Sequence, residues 1–167
     1  MSLKNQFITW RLKRKLASIK RSITPINLAK VKTAGIIWEI EDQDVFKMLV
    51  SQLKEQGVLV RSLCFSDIHG SVHGEVMFSP QDFSFFGNIK NREMNDFMDR
   101  RFDLLIDISL AKSLEVRYVR ALSRASFKVG WSPVQPDYLD LSIDVSHRKE
   151  PSYLVEQILH YLSEINK

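Results

Sequence analysis

Five side chains able to bind a cation or attack an electrophile crowd one short stretch: Cys64, Asp67, His69, His73 and Glu75. Imidazole, thiolate and carboxylate are the common ligands of zinc, and a thiolate beside an imidazole is a nucleophile. The two histidines follow no metal-binding spacing, and Gly70 and Gly74 punctuate the stretch, which reads as a solvated loop. Cys64 closes an apolar run, the usual setting of a buried structural thiol. A second group lies further along. Asp107 interrupts the apolar run DLLIDIS, and Ser109 follows two residues later. A carboxylate inside such a run either accepts local backbone N–H groups or is presented to a ligand. Asp67, His69, Asp107 and Ser109 are therefore the candidate lining of a ligand pocket. No catalytic set, metal set or cofactor is assigned, since the chain has no Walker loop, dinucleotide fingerprint, HExxH or GxSxG.

Those residues need a scaffold, and the patterning supplies an alternating one. Residues 33–40, 58–65, 103–109, 127–131 and 141–145 are apolar and β-rich, with a shorter run at 76–78 and an extended FSFFG at 83–87. Between them, residues 43–56, 91–101 and 113–125 carry apolar side chains at helical spacing, and Pro151 opens a last helix where its missing N–H costs least. Strands separated by helices imply a mainly parallel sheet covered on both faces. The expected fold is a three-layer, Rossmann-like α/β domain over residues 33–167. Ligands of such sheets bind beyond the carboxyl ends of the strands. That edge would gather Glu41 and Asp42, residues 66–74, and residues 109–112. Ser113 reads as a helix N-cap rather than an anion site, because no glycine-rich loop precedes it.

The chain has 167 residues, 44% of them hydrophobic and 26% charged, which excludes a disordered or collagen-like polymer. One cysteine excludes an internal disulfide framework, and no apolar stretch approaches the length of a membrane span. Charge is unevenly spread. Nine of the 24 Lys and Arg residues, and none of the 20 Asp and Glu residues, fall within residues 1–32. The remaining fifteen cations face all twenty acids, so the body carries a net charge of −5 and the front of the chain +9.

Residues 1–32 are expected to form a basic helical extension, helical over residues 3–22 and ended by Thr24-Pro25. Ile8, Leu12, Leu16, Ile19 and Ile23 share one narrow stripe, able to pack on the domain or on a second copy of the chain. The opposite side carries Leu3, Phe7, Trp10, Arg11, Lys13, Arg14, Lys20 and Arg21. Three partners fit that side. RNA or the ribosome would have its phosphates held by Arg11, Lys13, Arg14, Lys20 and Arg21 while Trp10 stacks on a base. An anionic membrane surface would take aromatics inward and cations at the headgroups. An organelle address is likewise basic and acid-free.

Residues 102–131, FDLLIDISLAKSLEVRYVRALSRASFKVGW, resemble the central strand–helix–strand of the amino-terminal lobe of heptosyltransferase-type glycosyltransferases. That resemblance implies a small or degenerate transferase-like lobe holding a sugar or nucleotide at the strand-end loops. Over most of its length the chain resembles a family of uncharacterised Bacteroidota proteins of about this size. The resemblance rests on the basic front, Phe85-Phe86-Gly87, FDLLIDIS, FKVG and a closing EQILHYL helix. It implies a bacterial cytoplasmic setting, peripheral at the inner membrane face if the front helix meets lipid. The expected function is a non-enzymatic accessory protein docking on a polyanion, RNA or ribosome ahead of membrane.

Overall fold

The computed structural model describes residues 1–68 and 72–167. Eleven elements follow in chain order. They are α1 (Leu3–Ser18), β1 (Thr33–Glu39), α2 (Gln43–Glu55), β2 (Leu59–Phe65), β3 (Met77–Phe78), α3 (Arg92–Asp99), β4 (Leu104–Asp107), α4 (Leu114–Leu122), β5 (Lys128–Gly130), β6 (Leu141–Ser142) and α5 (Pro151–Glu164). Single 3₁₀ turns occupy Leu28–Lys30, Ile40–Asp42 and Pro80–Asp82.

The six strands form one sheet in the order β3-β2-β1-β4-β5-β6, and every ladder is parallel. This is the doubly wound order, with its reversal of direction between β1 and β4. The Rossmann-like expectation therefore holds. Both central strands read as apolar runs because each is covered on both faces. One face carries Trp38, Leu49, Leu53 and Ile106 against Leu154 and Ile158, beneath α2 and α5. The other buries Ile37, Leu63 and Leu105 against Met94, Phe97, Val116 and Val119, beneath α3 and α4.

α1 completes that second layer. Ile8 and Leu12 are 0% and 1% exposed and belong to the same cluster as Val116 and Val119. Ser2 caps the helix by accepting the Asn5 N–H at 3.1 Å. The helix stops at Ser18, four residues before the sequence expectation. Ile19 is extended, no helix continues beyond it before the 3₁₀ turn at Leu28–Lys30, and the Thr24 N–H donates to Ser126 O beside β5. The stretch at residues 83–87 also differs from expectation: it is a tight loop closed by one antiparallel bridge, Phe83 to Ile89. Gly130 lets β5 lie close to β4, since a Cβ there would stand 2.6 Å from Asp107 O. Among the described residues no helix is long and apolar enough to cross a membrane.

Candidate functional site

α1 offers two faces with different fates. Its aliphatic stripe is consumed by the chain's own core: Ile8 and Leu12 are buried and Leu16 and Ile19 pack against the same cluster. Only Ile23, beyond the helix, stays open at 58% exposure. Of the two expected uses of the stripe, packing on the domain is the one this structure contains.

The outward face is open and has a neighbour that periodicity could not supply. Phe7 meets Phe85 and Phe86 with ring centroids 5.6 and 5.3 Å apart, and the last two lie 5.4 Å from each other. The three rings make a tilted, edge-to-face triangle. Gly87 makes the loop possible. Its φ is +76°, and an added Cβ would stand 3.1 Å from the Ile8 Cα, so the loop rests directly on the helix backbone. Leu3, Gln6, Phe7 and Trp10 border a shallow depression of about 330 Å³. Leu3, Trp10, Phe85 and Phe86 are all exposed, making one apolar ridge drawn from two segments.

Cations flank the ridge. The Arg14 guanidinium lies 4.9 Å from the Trp10 ring centroid. Trp10, Arg11, Arg14, Lys15 and Ser18 surround a second depression of about 350 Å³. Lys13, Arg14 and Lys20 are exposed, Arg11 is half-buried, and none of the four is ion-paired among the described residues. Lys15 lies over the Tyr118 ring, and burial followed by the charge of Arg11 lowers its pKa. Arg21 departs from expectation. Its guanidinium grips the Asp140 carboxylate through two bonds, 2.7 and 2.5 Å, and also donates to Ala125 O and Ser126 O. Asp140 accepts the Lys128 N–H as well. Arg21 is therefore a staple to the β5–β6 edge and is not open to a polyanion.

The carboxyl edge of the sheet likewise revises the candidate pocket. Asp107 and Ser109 are 0% and 1% exposed. One Asp107 oxygen accepts the Ser109 N–H and hydroxyl at 2.9 and 2.6 Å, and the other accepts from Arg120 at 2.9 Å. Both partners of that ion pair are wholly buried, and burial pushes the Asp107 carboxyl up against the opposing pull of Arg120. A closed internal pair of this kind cannot line an open pocket. Asp67 is exposed just past β2, and His69 lies outside the described residues. Asp67 is thus not brought together with Asp107 and Ser109 as a site. Cys64 is fully buried, and burial followed by the charges of Glu75, Glu41 and Glu39 pushes its thiol up to about 12, far from a reactive thiolate. Ser113 caps α4 by accepting the Val116 N–H.

Sequence reasoning passed over Glu39, the last residue of β1, beside the reversal point. It accepts the Leu110 N–H at 3.3 Å, and burial raises its pKa to about 7, helped by Asp42, Glu41 and Asp107. The available signal was an acid closing an otherwise apolar parallel strand. Arg120 was also missed, since nothing at helical spacing marks one arginine of α4 as inward.

A family model covers residues 4–165. The chain belongs to DUF6913, a family of unknown function. The DUF6913 span takes in α1 except its first residue, together with the sheet, so the basic helix from Lys4 onward and the Phe85-Phe86-Gly87 loop it holds lie within the family region. No curated protein and no solved structure matches the chain. The heptosyltransferase likeness therefore rests on residues 102–131 alone.

Proposed function

We propose that the protein is a peripheral docking protein whose α1 face, with the Phe85-Phe86 loop, seats on an anionic bilayer surface. The observation that carries this reading is the joining of exposed Leu3, Trp10, Phe85 and Phe86 through half-buried Phe7 into one ridge, on a segment whose exposed Lys13, Arg14 and Lys20 are not ion-paired among the described residues. An interfacial helix needs that combination: aromatic and aliphatic groups that enter the headgroup boundary, and cations that stay at its phosphates. Each such cation near an anionic leaflet is worth about 1 kcal/mol, and these three act additively with ridge burial. The phenylalanine triangle favours lipid over nucleic acid, because its three rings pack on one another as a cluster rather than standing apart as separate stacking platforms. One feature supports RNA as the second reading: Trp10 is half-exposed and carries a guanidinium on its face, an arrangement that also holds an unpaired base.

Trp38 and Trp131 are buried and Trp10 is the exposed tryptophan, so emission reports on the proposed face. Phosphatidylcholine vesicles containing phosphatidylglycerol should float the protein and blue-shift its emission, whereas pure phosphatidylcholine should do neither. Trp10→Phe should remove the shift and keep flotation. Absence of flotation together with salt-sensitive retention on polyuridylate would replace the bilayer with RNA.

A further inference from the structure

A cavity away from α1 lies at the amino edge of the sheet. It measures about 730 Å³ and opens over the first half of β2. Lys54, Arg61, Arg100 and Arg101 stand around it, and Leu59 and Phe102 form its apolar floor. All four cations are exposed, and none is ion-paired among the described residues. Leu59 is 73% exposed, because α3 covers β2 only further along, at Leu63 and Phe65.

The backbone at this place is open too. β3 pairs with β2 only at Cys64 and Phe65. The Leu59 N–H donates to Lys32 O on the β1 side, while the Cys64 and Ser66 N–H groups donate to Val76 O and Phe78 O on the β3 side. Alternation then turns the N–H and C=O groups of Val60 and Ser62 to the outer side, where no backbone partner meets them among the described residues. Glu75, bonded to the Ser62 hydroxyl at 2.9 Å, marks the end of this free edge.

We infer that this corner is a docking groove for an acidic, extended segment of a partner protein, which adds as a strand along Val60–Ser62. Main-chain bonds to the free edge would give the affinity, and Arg61, Arg100 and Arg101 would select carboxylates on the face toward α3. Charge argues against a second copy of this chain as the occupant. Two such edges would bring Arg61 and its neighbouring cations against their own kind, the usual defence of an edge strand. The inference is independent of the bilayer reading, since it uses no residue of α1.

The probe is a fluorescein-labelled peptide of alternating valine and glutamate, titrated against the full chain by anisotropy. It should bind, and the amide resonances of Val60 and Ser62 should shift and gain exchange protection. The pair of changes Arg100→Glu and Arg101→Glu should weaken binding about tenfold, or about 1.4 kcal/mol. Val60→Pro removes a donor that faces outward and no β1 ladder bond, so it should abolish binding with an unchanged far-ultraviolet spectrum. Should Val60→Pro fail to fold, the Val60 and Ser62 amide shifts in the native chain decide the matter. Lack of binding, unaltered amides, equal affinity for a valine–lysine peptide, or binding of inorganic triphosphate alone would each overturn the proposal. Trp10→Ala should leave peptide affinity unchanged.

Discussion

Replacing Arg120 with methionine tests the internal electrostatics most severely. The Asp107–Arg120 pair is wholly buried, and Asp107 would keep only its two bonds from Ser109. Removing one partner of a buried ion pair strands the other charge and costs about 3–5 kcal/mol. Against a typical domain stability of about 5–15 kcal/mol, that is a large share. Urea unfolding followed by circular dichroism should show a midpoint far below that of the native chain, with an unchanged slope. Adding Asp107→Asn removes the stranded charge and should recover much of the loss, a favourable coupling of about 1–3 kcal/mol in the double-mutant cycle. The deficit should also depend on pH. Without its cation, Asp107 has a folded pKa raised further above the unfolded one, so its stability contribution is present in acid and lost as pH rises. The Arg120→Met deficit should therefore shrink toward pH 4 and be fully developed above neutrality. A single variant as stable as the native chain, or a deficit constant with pH, would refute the view that these two groups face each other as ions.

Three further expectations concern packing, the loop and titration. Ile8→Ala should lower stability by about 2–5 kcal/mol, because a fully buried aliphatic leaves a cavity, and removal of residues 1–18 should compromise the whole domain; thermal melts check both. Gly87→Ala should cost about 1–2 kcal/mol, since φ is +76° and the new methyl meets the Ile8 Cα; displaced Phe85 and Phe86 side-chain resonances would accompany it. Stability should pass through a shallow minimum near neutrality. Glu39, raised to about 7 chiefly by burial, contributes stability that is present below its unfolded pKa and lost as pH climbs to 7, by no more than about 1 kcal/mol for a half-buried group. Lys128, lowered to about 7 by burial and by Arg21, regains a few kcal/mol, at about 1.4 per pH unit, as pH rises from there toward its unfolded value. Glu39→Gln should flatten the acid limb and Lys128→Met the alkaline one in chemical unfolding across pH.

Patterning made the α/β alternation legible because it is written locally. The apolar run around Leu104–Asp107 announced a strand covered on both faces, and the helical spacing around Gln43–Glu55 was met to within a residue. Endings set by distant partners were not legible. The stripe through Ile19 and Ile23 continues the helical period, yet the backbone straightens after Ser18 to reach Ser126 and to place Arg21 on Asp140. FSFFG has strand-like composition, yet the positive φ of Gly87 folds it against Ile8. The basic front was visible as charge. That Phe85 and Phe86 stand beside Phe7 required the fold, because nothing local links residues so far apart in the chain. Asp107 was singled out for its cost inside a strand, and its partner Arg120 emerged only once α4 was seated.

The seat of α1 has a consequence for synthesis. α1 is synthesised well before α4, which supplies much of its bed and ends only at Leu122. Until α4 is made, Ile8 and Leu12 have no resting place, and the nascent chain carries an amphipathic, positively charged helix whose oily side is bare. Closure of the amino-terminal layer is thus a late event. A chaperone or a nearby lipid surface has its widest opportunity to capture this segment before the second half of the sheet is made.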